Sequence, residues 1–314
     1  LEKQVSASLE VIFIDDESED DSYSLVAGFI HTKNLKNWRL LENSEIGKKA
    51  ALTTGIRHTE AEIIMTSDAD CILPEGWHWR MSQPFHDDDV QLVAGPVMTL
   101  SDNGFFAKFQ QIEWAGIILV TRYFFEQKQP LMCSGANLAY RKSAFMEVGG
   151  YSGNERHLSG DDEFLLKKVI SKFGYRSATY LSQQDVLVKT FPAPDLAAYI
   201  QQRVRWAAKW KMHQSAKHVS VALGSFMVAM IHIGSFFLIF GEIWSKIVFL
   251  VFWTLKIIGE KKALGKVLRE YAIQPTWFSF IKTSILHPVY MVTVGLVALR
   301  GNFTWKGRKS DCNA

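Results

Sequence analysis

Short apolar runs that end in acidic residues alternate with helix-periodic stretches up to about residue 217, and long apolar runs take over beyond it. Leu9-Glu10-Val11-Ile12-Phe13-Ile14 is apolar and β-branched and breaks off into Asp15-Asp16-Glu17-Ser18-Glu19-Asp20-Asp21. This predicts a buried strand followed by an acidic loop. Ser22 to His31 predicts a helix, Trp38-Arg39-Leu40-Leu41 a weak second strand, and Ile46 to His58 a helix rich in Lys and Ala. Ile63-Ile64-Met65-Thr66 predicts a third strand that runs directly into Asp68-Ala69-Asp70. Pro74-Glu75-Gly76-Trp77 opens the next helix, and Val90 to Met98 predicts another strand. Strands alternating with helices predict an α/β domain on a largely parallel sheet. Ligands of such sheets bind at the carboxyl ends of the strands. Both acidic clusters sit at strand ends and could face one site.

Asn103 to Phe125 is long and aromatic but carries Lys108, Gln110, Gln111, Glu113 and Arg122. That is too polar to span a bilayer and predicts an amphipathic helix on the core or on a membrane surface. Val219–Phe240 has no Asp, Glu, Lys or Arg, with His232 its one titratable residue. At about 1.5 Å per residue it is long enough to cross a hydrocarbon core. Ile243–Ile258, with Lys246 and Lys256 near its ends, and Trp277–Leu299, interrupted by Lys282 and His287-Pro288, are further candidates. Buried core helices are the alternative for all three. The expected division is an α/β domain over 1–217 and a membrane domain with two or three hydrophobic helices and a basic C-terminal tail over 218–314.

Basic residues flank these spans: Arg203, Arg205, Lys209, Lys211 and Lys217 before them, Lys261, Lys262, Lys266 and Arg269 between, and Arg300, Lys306, Arg308 and Lys309 after. The positive-inside bias assigns all three groups to the cytoplasm. A two-helix hairpin satisfies the first two groups, whereas a third span would export the last. Either the third segment re-enters at His287-Pro288 or the bias fails there.

Composition narrows the function. The 314 residues are 48% hydrophobic and 21% charged with a net charge of +3, without the clustered basic stripes of a nucleic-acid protein. The three cysteines, Cys71, Cys133 and Cys312, have no CxxC spacing, which argues against a disulfide framework or a zinc site and for reduced thiols.

Five constellations carry candidate chemistry. Asp68-Ala69-Asp70, two carboxylates one residue apart after a strand, suit a hard divalent cation that keeps positions open for phosphate oxygens; a solvated turn is the alternative. Asp15-Asp16 could hold a polar ligand edge or a metal, or form a solvated acidic turn. Lys48, in Gly47-Lys48-Lys49-Ala50-Ala51-Leu52, could pair with those acids or with phosphate at a helix start, or lie on an exposed face. Ser159-Gly160-Asp161-Asp162-Glu163 offers a carboxylate general base, or simply acids favoured at a helix N-terminus. Gln202-Arg203-Val204-Arg205-Trp206 could close over a diphosphate or sugar, or form an interfacial Arg/Trp belt.

The order of these elements, with Ser134-Gly135-Ala136-Asn137-Leu138-Ala139-Tyr140-Arg141 between the third and fourth and Phe303-Thr304-Trp305-Lys306-Gly307-Arg308 near the end, resembles the membrane-bound family 2 glycosyltransferases. These are the cellulose-synthase-like and hyaluronan-synthase-like enzymes. The resemblance covers nearly the whole chain. It implies a GT-A fold, a hexosyltransferase-type enzyme and inversion at the anomeric carbon. It further implies a UDP- or GDP-sugar donor, a glycan or lipid-linked acceptor, Mg2+ or Mn2+, and no nucleic-acid partner. It places the protein as a multi-pass plasma- or inner-membrane protein, among membrane lipids, with a cytoplasmic catalytic domain. By position, Asp15 or Asp16 would contact the donor base, Lys48 would lie near the nucleotide, Asp68 would contact the nucleotide-sugar and Asp70 would bind the metal. Asp162 would be the general base with Asp161 beside it. Gln202, Arg205 and Trp206 would lie near the diphosphate and acceptor.

Two departures stand out. The acidic pair is Asp161-Asp162 where the family has Glu-Asp. The family also has a strand ahead of Asp15-Asp16, while this chain opens at Leu1, so the resemblance implies that the strand is missing, with weak or no activity for these 314 residues alone. A non-catalytic membrane subunit of a glycan-assembly complex and a carboxylate glycoside hydrolase are the competing readings.

Overall fold

The structure is a computed structural model that describes residues 4, 9–101, 104–154, 160–208, 216–299, 302–305 and 308–311. Ser159, Lys209, Lys211, Arg300, Lys306, Gly307 and Cys312, all named above, lie outside the described residues. In chain order the elements are β1 (Val11–Asp15), α1 (Ser22–Thr32), β2 (Trp38–Glu42), α2 (Lys48–Arg57), β3 (Ile63–Thr66), β4 (Cys71–Ile72), α3 (Trp77–Ser82), β5 (Leu92–Ala94) and β6 (Val97–Thr99). They continue as α4 (Phe105–Glu126), β7 (Leu138–Arg141), α5 (Lys142–Glu147), α6 (Asp161–Phe173), β8 (Ala178–Tyr180), β9 (Val188–Thr190) and α7 (Leu196–Ala208). Three long helices follow, α8 (Ala216–Gly234), α9 (Ile243–Glu270) and α10 (Trp277–Leu299), and then β10 (Asn302–Trp305) and β11 (Arg308–Asp311). By packing, the chain forms two compact units, Leu1–Val97 with Thr121–Val188, and Met98–Val120 with Lys189–Ala314.

In the first unit β1 and β2 pair in parallel, Val11 opposite Trp38 through Asp15 opposite Glu42. A second sheet runs in the order β3-β7-β5-β8. Here β7 is antiparallel to both β3 and β5, while β5 and β8 are parallel. The α/β class predicted from the alternating pattern stands, and β7 makes this sheet mixed. The reversal has a consequence for the site, because Thr66 at the end of β3 pairs with Leu138 at the start of β7. The turn ahead of β7 therefore arrives where β3 ends.

The core of this unit gathers Ile64, Leu92, Leu138 and Tyr140 from the sheet with Ile56, Phe145, Leu165, Leu166 and Val169 from α2, α5 and α6. Burying each such side chain contributes about 1.5–3 kcal/mol. The predicted strand 90–98 is two strands, because Gly95-Pro96 interrupts it. Pro96 has no N–H to give a ladder. Its carbonyl instead accepts from the Asn137 side chain at 2.8 Å and from the Val188 amide at 3.1 Å.

In the second unit α7 packs on α10 through Val204, Val294 and Ala298. Among the described residues two helical stretches, Val219–Phe240 and Trp277–Leu299, are long and apolar enough to cross a membrane. The first ends as a 3-10 turn over Ser235–Phe240. The second runs unbroken through His287-Pro288 with Pro288 buried, so the backbone does not turn back there. The predicted segment Ile243–Ile258 is the first part of α9, which continues through Glu260-Lys261-Lys262 to Glu270 because Glu, Lys, Ala and Leu are all good helix formers. Leu223, Met227, Phe237, Phe240, Trp244 and Leu250 lie exposed on α8, the 3-10 turn and α9.

Candidate active site

The site in the first unit is built around the N-terminus of α2. Gly47 precedes the helix at φ 106°, ψ 159°, a region open in practice to glycine alone. That geometry turns the Gly47 amide onto Asp16, whose Oδ1 accepts it at 2.8 Å and also accepts the Asn43 side-chain amide at 2.8 Å. Asn43 is tied in turn through its own amide to the Asp15 carbonyl at 2.8 Å. Asp15 accepts the Ser18 amide on Oδ2 at 3.2 Å, closing the loop that leaves β1. Asp16 thus cements the α2 start to the ends of β1 and β2.

Lys48, the first residue of α2, carries its ammonium into a group of carboxylates. Its Nζ lies 2.5 Å from Asp68 Oδ1 and 3.8 Å from Asp161 Oδ2. Burial by itself would lower the Lys48 pKa, but Asp161, Asp68 and Asp162 together outweigh it and hold the ammonium above the ordinary lysine range. Lys48 is therefore a permanent cation at neutral pH.

Asp161 and Asp162 open α6 but are held differently. Asp161 is buried beside Lys48. Asp162 is half-buried, and accepts the Gly135 amide on Oδ2 at 3.0 Å and the Glu163 amide on Oδ1 at 2.8 Å. Gly135 belongs to the turn ahead of β7, and its carbonyl accepts the Thr66 hydroxyl at 2.8 Å. A Cβ at Gly135 would stand 3.2 Å from Asp161 Oδ2 and 3.7 Å from Lys48 Nζ, so a side chain there would press on the Asp161 carboxylate and require it to shift by a few tenths of an ångström.

Asp68 and Asp70 lie on the loop between β3 and β4, Asp68 half-buried and Asp70 exposed. The Cys71 thiol faces Asp70 Oδ1 at 3.8 Å. Asp68, Lys48, Asp161 and Asp162 are thus brought together, while Asp15 and Asp16 line the α2 start. Below them Asn137, fully buried, accepts from Trp77 Nε1 at 2.9 Å and donates to the Pro96 and Val186 carbonyls at 2.8 Å each. Gln202, Arg205 and Trp206 lie on α7 in the second unit. There Arg203 joins Glu113 through Nε at 2.9 Å and Nη2 at 2.5 Å.

The sequence pattern alone assigns no role to Asn43, Thr66, Gly135, Asn137 or the Arg203–Glu113 pair. Gly135 and Asn137 fall inside the Ser134–Arg141 motif, which marks their region but not their contacts.

Residues 2–149 match the model of glycosyl transferase family 2. The chain carries a family 2 glycosyltransferase domain. Over 206 residues it is 26% identical to a poly-beta-1,6-N-acetyl-D-glucosamine synthase of Staphylococcus aureus (strain COL), covering 63% of this chain and 46% of that protein. It is 28% identical over 146 residues to the synthase of the same name from Staphylococcus epidermidis, covering 45% of this chain and 34% of that one. The chain thus spans about half the length of the first of these relatives or less. Its structure superposes on a mannosyltransferase from Pyrobaculum calidifontis, solved in complex with GDP-Man and Mn2+, with a TM-score of 0.53 and 18% identity over 93% of this chain and 78% of that one. The shared architecture is the GT-A fold.

Proposed function

We propose that this glycosyltransferase moves a sugar, with inversion, from a UDP- or GDP-sugar to a glycan or lipid-linked acceptor at the cytoplasmic face of a membrane. One observation supports the reading most. The Lys48 ammonium joins Asp68 of the Asp-x-Asp loop to Asp161 of the α6 pair, gathering the motif residues of three separate elements in one place. The name of the staphylococcal relatives supports a glycan-building reaction. The ligands of the Pyrobaculum enzyme are consistent with a nucleotide-sugar and a divalent ion.

In this reading Asp162 takes the proton of the acceptor hydroxyl as that oxygen attacks the anomeric carbon. The bond from that carbon to the diphosphate breaks on the opposite face, so one displacement inverts the centre. The amides of Gly135 and Glu163 hold the Asp162 carboxylate in position. The fixed charge of Lys48 offsets Asp161 and Asp68, so a diphosphate can approach a site otherwise lined with acids. Arg205 stabilises negative charge on the departing diphosphate. Among the described residues no three His, Cys, Asp or Glu side chains form a metal cluster. The exposed Asp70, with the half-buried Asp68 beside it, offers hard carboxylate oxygens of the kind that Mg2+ and Mn2+ prefer, and would hold such an ion. A cation held there would supply charge neutralisation for the leaving diphosphate.

The test measures donor binding and sugar transfer from UDP- and GDP-sugars, with Mg2+ or Mn2+, in the native membrane protein. Asp70→Ala is expected to lose metal-dependent donor binding. Asp162→Asn is expected to keep donor binding and lose transfer. Normal transfer by Asp162→Asn would place the base elsewhere.

A further inference from the structure

Arg203 stands between two members of the Gln202-x-x-Arg205-Trp206 set and is almost wholly enclosed, 4% exposed. Its guanidinium is used on every side. Nε and Nη2 form a two-point pair with Glu113, while Nη1 donates to Gln202 Oε1 at 2.8 Å. Its guanidinium carbon lies over the Trp206 ring, 4.2 Å from the centre, and over that of Tyr199 at 4.6 Å. The Trp206 ring meets Trp114 edge-on at 5.3 Å, and Tyr290 donates to Glu113 Oε1 at 3.1 Å.

We infer that Arg203 is a positioning residue that, anchored on Glu113, sets the places of Gln202 and Trp206 for sugar transfer. The inference rests on the proposed role of Gln202 and Trp206. Residues four apart share one face of a helix, so Gln202 and Trp206 project together from α7, with Arg203 fastened to both. A buried ion pair adds little stability over a well-packed apolar pair of the same size. What this pair supplies is geometry: a planar fork with five donors can bind a carboxylate at two points, hold an amide oxygen and stack on a ring at once. A lysine ammonium in the same place keeps the charge but loses the fork and the stacking plane.

The experiment compares Arg203→Lys and Glu113→Gln with Gln202→Ala, Trp206→Ala and their combinations in the intact membrane protein, measuring kcat, donor KM and thermal melting. Arg203→Lys and Glu113→Gln are expected to lower kcat about tenfold to a hundredfold, as for a misplaced catalytic constellation, and to leave donor KM within about twofold. Adding Arg203→Lys to the Gln202→Ala/Trp206→Ala double variant is expected to cost little more, because the groups it positions are already gone. A purely structural role predicts losses that multiply instead, and that result overturns the inference. So does normal kcat in both Arg203→Lys and Glu113→Gln while Gln202→Ala and Trp206→Ala are impaired, an outcome that spares the roles of Gln202 and Trp206. Normal transfer by the Gln202→Ala/Trp206→Ala double variant removes those roles, and the positioning role falls with them. If Arg203→Lys melts below the assay temperature, Glu113→Gln, which keeps an acceptor oxygen and the shape of its partner, carries the same comparison.

Discussion

Gly47 and Lys48 occupy adjacent positions and do opposite kinds of work. Gly47 holds a backbone conformation, and nothing lies within 4 Å of the place its Cβ would take. Replacing it therefore costs strain rather than a clash. Gly47→Ala is expected to lower stability by about 1–3 kcal/mol and to loosen Asp16 from the start of α2, read by thermal or urea melting. Lys48 works through charge. Its pKa is raised in the folded state, so its stabilising contribution is complete below the ordinary lysine value and fades only as pH climbs above it. Donor binding by the parent and by Lys48→Arg should therefore follow the same pH dependence up to about pH 9. A basic limb seen below that in the parent alone would mean that the ammonium titrates earlier than its surroundings imply.

Between elements, the decisive contacts are close approaches to small residues. A Cβ on Gly95 would fall 2.4 Å from Asn137 Nδ2 and 2.8 Å from its Cγ. Gly95→Ala is expected to expel the Asn137 amide from its three bonds to Trp77, Pro96 and Val186. At about 1–3 kcal/mol for each buried polar group left unsatisfied, the variant should melt well below the parent, and melting close to the parent would show that the amide can shift without loss. Such contacts mark the limit of what the chain reveals on its own. Val11-Ile12-Phe13-Ile14 and Ile63-Ile64-Met65-Thr66 advertise strands through their composition, and the acids after them are visible as strand-end ligands. The direction of β7 is not visible, because Leu138-Ala139-Tyr140-Arg141 reads the same whichever way it pairs. Gly135, Thr66 and Asn43 are likewise hidden, because their partners lie on other elements and only closure of the sheets brings them together. Gly95-Pro96, by contrast, carried a readable interruption that the apolar run around it masked.

For the whole molecule, the exposed apolar side chains of α8, α9 and α10 support burial in a bilayer, as do the two helical stretches long enough to cross one. The protein is expected to stay with membranes through an alkaline carbonate wash, and release into the supernatant would refute the proposed anchorage. On the proposed orientation the positive-inside bias would set Lys261, Lys262, Lys266 and Arg269 on the cytoplasmic side, with the first part of α9 crossing. Lys262 is exposed, so Lys262→Cys in a background lacking the native cysteines should react with an impermeant thiol reagent only once the cytoplasmic face is opened. Labelling from outside would make α9 an external helix. The turn ahead of β7 offers a further measurement that needs no turnover at all. The Gly135 amide proton is bound to Asp162, 27 residues away, and its carbonyl to Thr66, 69 residues away. Both contacts need distant parts of the chain to be closed on the turn, so slow hydrogen exchange at this amide reports that the turn is seated on Asp162 and Thr66. On the proposed function, a nucleotide that binds only the closed arrangement slows that exchange in proportion to its occupancy, which makes one backbone proton a gauge of ligand affinity in variants that transfer no sugar.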